Sequence, residues 1–170
     1  MDEKFYLDTN IIFGYFLKKV SELKGEFKSS KVAEFLIESK DKINYNVSIL
    51  TKVEIVRKLK SEFLLDNTLI EKIWKSFILD VNCTEIEVNI NVSELYKEIL
   101  RIVSSIPIRK RVTNLEHLII AKKKDLIFVT GDEEVLKKCK EFYPRIWSYK
   151  DLRRLYSNLN IGWTEWNQKS

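Results

Sequence analysis

Hydrophobic residues in this chain form short apolar runs that alternate with longer stretches in which apolar positions recur every three or four residues. Short runs of this kind predict β-strands, and the recurring pattern predicts amphipathic helices. The predicted strands cover residues 4–7, 43–48, 84–88, 126–130 and 145–147. The predicted helices cover residues 11–17, 30–40, 51–65, 67–79, 92–104, 113–124, 133–142 and 149–158. This alternation predicts an α/β fold built on a parallel sheet of about five strands.

Length and composition predict a single domain. The chain has 170 residues, of which 45% are hydrophobic, and only four glycines and two prolines, so no flexible linker is indicated. We expect one domain over residues 1–158 and a C-terminal tail over residues 159–170. The longest apolar run, residues 11–17, is far shorter than the roughly 20 residues of a membrane span, and no signal peptide pattern begins the sequence. These features predict a cytoplasmic protein with no membrane partner.

Basic residues outnumber acidic ones by 30 to 25, which gives a net charge of +5. A positive balance favours a polyanionic partner. The candidate nucleic-acid-binding residues are clustered, with Arg57 and Lys58 in one predicted helix and Arg109, Lys110 and Arg111 just before another. The alternative interpretation is that these are ordinary solvated side chains on helix faces.

Three acidic residues lie at or just beyond the carboxyl ends of predicted strands. Asp8 follows the first strand, Asp132 follows the fourth, and Glu54 lies in the first turn of the helix after the second. Ligands of open parallel sheets bind at this edge. Three converging carboxylates would repel one another unless they bound a cation, and oxygen ligands suit Mg²⁺ or Mn²⁺. The pattern therefore predicts a metal site able to assist hydrolysis of a phosphodiester.

Helix capping offers a structural alternative for two of these acids. Thr51 and Glu54 have the spacing of a capping box, and so do the pairs Thr113–Glu116 and Thr130–Glu133. A position at a helix N-terminus would also be sufficient reason for Asp132. Asp8 has no equally simple structural explanation, because it stands alone between two apolar runs.

Four segments of the chain resemble the signature segments of PIN-domain ribonucleases, a family that includes VapC-type toxins. The segments are FYLDTNIIFGYF, SILTKVEIVRKL, TNLEHLIIA and LIFVTGDEEVL, and the similarity runs from about Phe5 to Tyr156. The resemblance implies a three-layer α/β/α sandwich and a Mg²⁺- or Mn²⁺-dependent endoribonuclease that cleaves single-stranded RNA. A flavodoxin-like nucleotide or signalling domain would share the sheet and the strand-end Asp, but would not explain Glu54 and the TGD segment together.

The resemblance assigns roles to particular residues. It places the metal-binding acids at Asp8, Glu54 and Asp132, with Asn10 and Thr130 as polar supports. A fourth catalytic position falls on Asn114, where the family usually has Asp. An asparagine keeps a carbonyl oxygen that can bind a metal but removes one negative charge. The alternative function is therefore a PIN-fold module that has lost catalysis and binds RNA or a protein partner.

Two further features bear on ligands and partners. His117 lies three residues after Asn114 on the same helix face, where it could contact an RNA phosphate or a ligand, although a lone histidine is more often structural. Trp163 and Trp166 in the tail could form a contact surface, and the resemblance implies a homodimer or an antitoxin partner. The alternative is that both tryptophans fold back onto the same chain.

Overall fold

A computed structural model of the protein describes residues 3–109 and 112–167. In these ranges five strands and eight helices alternate along the chain. Their bounds are β1 Lys4–Leu7, α1 Thr9–Leu23, α2 Lys31–Ser39, β2 Asn44–Ser48, α3 Ile49–Phe63, α4 Asn67–Val81, β3 Cys83–Ile86, α5 Val92–Ser105, α6 Thr113–Lys123, β4 Ile127–Val129, α7 Glu133–Lys138, β5 Ile146–Trp147 and α8 Tyr149–Asn167.

The five strands form one parallel sheet in the order β3-β2-β1-β4-β5. In the centre, Phe5 of β1 lies opposite Tyr45 of β2 on one side and Ile127 of β4 on the other. The chain moves outward from β1 to β3, then crosses back to β4 and continues to β5. The strand order therefore reverses between β1 and β4, which is where open parallel sheets bind ligands.

Helices cover both faces of the sheet because successive strand residues point in opposite directions. Phe5 and Leu7 pack into a core formed with α1, α2, α3, α4 and α8. Tyr6, between them, packs into a second core formed with α5, α6 and α7. A strand buried on both faces has a nearly continuous apolar sequence, as β1 and β4 do. The predicted α/β fold and its three-layer α/β/α sandwich are confirmed.

Three helices differ from their predicted bounds by more than two residues, and one of them, α1, continues to Leu23 rather than ending at residue 17. Helix α1 begins at Thr9, directly after β1, because Asp8 is already its N-cap residue. Helix α7 ends at Lys138 rather than residue 142, and Pro144 disfavours helical backbone at the residue before it. Helix α8 continues through residue 158 to Asn167, so the expected start of the tail falls within this helix. Within the described ranges, no helix combines the length and apolar character that a bilayer span needs.

Candidate metal centre

The carboxyl ends of the central strands bring together side chains from distant parts of the sequence. Asp8 lies between β1 and α1, as the N-cap residue of α1. Thr130 directly follows β4, the strand next to β1 in the sheet. Glu54 comes from α3, which starts at the end of β2, and His117 comes from α6. These elements meet where the strand order reverses, as the positions of the acids in the sequence predicted.

Asp8 is a buried carboxylate with fixed hydrogen bonds. Its side chain is almost inaccessible, at 2% exposure. Its Oδ2 atom accepts hydrogen bonds from Asn10 Nδ2 and from the Thr130 hydroxyl, both at 2.6 Å. Burial raises the pKa of Asp8, although His117 and Thr130 oppose this effect. A carboxylate whose ionised form is disfavoured by burial gains most from a nearby cation.

Glu54 faces Asp8 from α3. Its Oε2 atom accepts a short hydrogen bond from the Thr9 hydroxyl and lies 2.9 Å from Nε2 of His117. Burial alone would raise the pKa of Glu54, but His117, Thr9 and Lys58 together lower it. Glu54 is therefore held ionised at the edge of the cluster.

His117, from α6, is the third member of this group and is entirely buried. Its Nε2 atom lies 2.9 Å from Glu54 Oε2 and 4.0 Å from Asp8 Oδ1, and its Nδ1 atom lies 2.8 Å from the Tyr6 hydroxyl. The Tyr6 hydroxyl in turn lies 2.6 Å from Ser48 Oγ. Metal-binding histidines commonly have their second ring nitrogen fixed by such a hydrogen bond.

The donor atoms fit a divalent cation. One ligand atom from each of Asp8, Glu54 and His117 lies within 4.8 Å of the others. Two carboxylates and an imidazole suit divalent transition metals such as Mn²⁺, whereas Mg²⁺ prefers oxygen ligands alone. The residues present therefore fit a divalent cation, with the His117 nitrogen in the place that the sequence prediction gave to Asp132.

Asp132 and Asn114 lie beside this group rather than in it. Asp132 is the N-cap residue of α7, where its Oδ1 atom accepts hydrogen bonds from Glu134 N at 2.8 Å and Val135 N at 3.3 Å. Asn114 Nδ2 donates a hydrogen bond to Asp132 Oδ2. Among the described residues, the group that could hold a metal is Asp8, Glu54 and His117, and it does not include Asp132.

The two predicted supports connect Asp132 to Asp8. The Thr130 hydroxyl donates to Asp8 and accepts from the backbone N–H of Asp132 at 3.0 Å. Asn10 Oδ1 accepts from the backbone N–H of Gly131 at 2.8 Å. A β-carbon on Gly131 would lie 3.1 Å from that oxygen, so glycine permits this close approach. The TGD segment and the start of α1 therefore form one hydrogen-bonded unit.

The three predicted capping boxes do not form as expected. Helix α3 starts at Ile49 with Ser48 as its N-cap, so Thr51 is the third helical residue and accepts from Ser48 N at 3.4 Å. The capping interpretation of Glu54 is therefore wrong, and its carboxylate is available to the cluster. The other two boxes are also wrong, because the N-cap residues are Val112 for α6 and Asp132 for α7. The capping role proposed for Asp132 itself is confirmed.

The predicted basic residues lie on two sides of the cluster. Arg57 and Lys58 lie on α3, about one turn beyond Glu54, and the Lys58 ammonium is 4.1 Å from the centre of the Phe13 ring. On the other side, the backbone N–H of Arg109 donates to the Glu134 carboxylate. The remaining two basic residues of that set, Lys110 and Arg111, lie outside the described residues.

The sequence did not predict that His117 would join the candidate metal-binding group. It is the only histidine of the chain, and its three-residue spacing from Asn114 was the available signal. No family model matches the chain, and no curated protein matches it at a significant level.

Proposed function

We propose that this protein is a metal-dependent endoribonuclease of the PIN type that cleaves single-stranded RNA. The observation that carries the proposal is the convergence of Asp8, Glu54 and His117 at the point where the strand order reverses. The positively charged Arg57 and Lys58 beside this group suit a substrate that carries phosphates. By the same resemblance, we expect it to act in the cytoplasm as a homodimer and to be the toxin of a toxin–antitoxin pair.

Asp8, Glu54 and His117 would hold the cation, and the nitrogen donor favours Mn²⁺ over Mg²⁺. A divalent cation bound there supplies positive charge to the phosphodiester and lowers the pKa of a water molecule. Asp8 presents Oδ1 to the cluster because Oδ2 is occupied by Asn10 and Thr130. Thr9 holds Glu54 in the same way, which fixes both carboxylates before substrate binds.

We expect Asn114 and Asp132 to orient the attacking water. The amide nitrogen of Asn114 is used by Asp132, which leaves its carbonyl oxygen to accept a hydrogen bond from water. Asp132 is in turn fixed by the start of α7. Both are therefore expected to influence the position of the nucleophile more than the affinity for the cation.

The test is cleavage of a labelled single-stranded RNA by purified protein in Mn²⁺. We expect EDTA to abolish cleavage and Asp8→Asn or Glu54→Gln to lower it by at least about a hundredfold. Asp125→Asn and Glu71→Gln make the same chemical changes in exposed ion pairs and should leave it unchanged. Full cleavage by Asp8→Asn, or in EDTA, would contradict the assignment.

The second candidate is a catalytically degenerate module that binds RNA or a protein partner. It is favoured by the position of His117, because the hydrogen bond between its Nε2 atom and Glu54 Oε2, at 2.9 Å, joins the two side chains without a metal. Calorimetric titration with Mn²⁺ separates the two functions. Absence of binding at millimolar Mn²⁺ would favour the module, as would cleavage that appears only in Asn114→Asp.

A further inference from the structure

The basic residues around the candidate metal centre differ in how their charge is balanced. On α7, Lys137 pairs with Glu133 and Lys138 pairs with Glu134, each at 2.8 Å. Within the described part of the chain, Lys58 on α3 makes no ion pair, and its ammonium lies over the ring of Phe13. A lysine on an aromatic ring keeps its full positive charge available to an anion, whereas a paired lysine must first lose its carboxylate.

Lys58 and Phe13 extend the contact between α1 and α3 by one helical turn. Thr9, in the first turn of α1, donates a hydrogen bond to Glu54 of α3. Four residues further along each helix lie Phe13 and Lys58, which are also in contact. Phe13 is half-buried and packs against the core, so its ring is fixed. Contact with this ring places the ammonium against α1, and the backbone of Lys58 lies about 6 Å along α3 from that of Glu54.

We propose that Lys58 and Phe13 form a phosphate subsite, in which the Lys58 ammonium binds an RNA phosphate adjacent to the one cleaved and Phe13 positions that ammonium. The subsite rests on the proposed function in taking single-stranded RNA as the substrate. Its physical role is to offset the repulsion between the acidic cluster and the RNA backbone.

The test is binding of a fluorescein-labelled oligouridylate, measured by anisotropy in EDTA at several salt concentrations. Each phosphate contact contributes about 0.7 to the slope of log K against log salt for single strands. Lys58→Gln should therefore weaken binding and reduce that slope by about 0.7, and Lys58→Arg should restore it. Phe13→Leu should weaken binding while leaving the slope nearly unchanged, because the charge remains but its position is lost.

Lys137→Gln is the matched control, since it removes the same charge from a lysine near the site that is already paired with Glu133. It should leave both affinity and slope unchanged, and the thermal unfolding of every variant checks that it is folded. An unchanged slope in Lys58→Gln, or an equal loss in Lys137→Gln, would overturn the subsite. So would tighter binding of oligoglutamate than of oligouridylate, which would indicate an acidic protein partner.

The subsite and the nuclease can fail separately. RNA cleavage with an unchanged KM in Lys58→Gln would overturn the subsite and retain the ribonuclease. Salt-dependent RNA binding that responds to Lys58→Gln, in a protein that cleaves nothing in Mn²⁺, would retain the subsite and overturn the nuclease.

Discussion

The Tyr6 hydroxyl supports the candidate metal centre from inside the fold, and Tyr6→Phe deletes that single oxygen. Tyr6 is fully buried, and its hydroxyl lies 2.6 Å from Ser48 Oγ and 2.8 Å from His117 Nδ1. Phenylalanine retains the ring that packs against Phe128, so little apolar contact is lost. Leaving a buried polar atom of His117 without this partner costs about 1–3 kcal/mol. We expect the free energy of unfolding to fall by that amount.

Urea unfolding followed by circular dichroism, in EDTA, measures this change. The dependence of unfolding free energy on urea should stay constant, because the variant remains compact. Tyr149→Phe is the matched control: it deletes the same atom from an exposed contact, 3.4 Å from Lys31 O, and should change stability by less than about 0.5 kcal/mol. A loss in Tyr6→Phe no larger than in this control would refute a supporting role for the hydroxyl.

Three further predictions concern pH, backbone conformation and close packing. Burial raises the pKa of Asp8, so the folded state loses stability as pH rises above about 4, where the unfolded chain releases this proton more readily. Asp8→Asn should therefore gain stability relative to wild type as pH rises above about 4 in urea titrations, and a constant difference would contradict this. Leu64→Gly should raise the unfolding free energy by up to about 1 kcal/mol, because this exposed residue ends α3 with a left-handed φ of 56°. An unfolding free energy below that of the wild type would contradict this prediction. Gly131→Ala should displace Asn10 and weaken Mn²⁺ binding in calorimetry, and unchanged affinity would show that their close approach is unimportant.

The fold was largely predictable because the central strands β1 and β4 are buried on both faces. The first strand was predicted over residues 4–7 and is observed as Lys4–Leu7. Helix ends were harder to predict, because they depend on capping and on contacts outside the helix. Thr9 and Asn10 are polar and did not extend the apolar pattern, yet they form the first turn of α1.

The site was predictable only where the strand ends determine it. Asp8 and Thr130 lie together because their strands are neighbours in the sheet. Whether Asn114 or His117 joins Asp8 and Glu54 depends instead on how far each turn of α6 lies inside the fold. Residue spacing along the sequence does not give this distance. Asn114 lies in the first turn beside α7, whereas His117 is one turn deeper and packs against the ring of Phe128.

The backbone around Asp8 belongs to the centre of the sheet, and this has a consequence for local unfolding. The amide of Asp8 donates to Val129 O at 3.0 Å, across the central strand pair β1 and β4. Hydrogen exchange at this amide requires separation of these two strands, an opening whose cost approaches that of global unfolding. Sites on surface loops usually exchange quickly. Here the amide of Asp8 should instead be among the last to exchange.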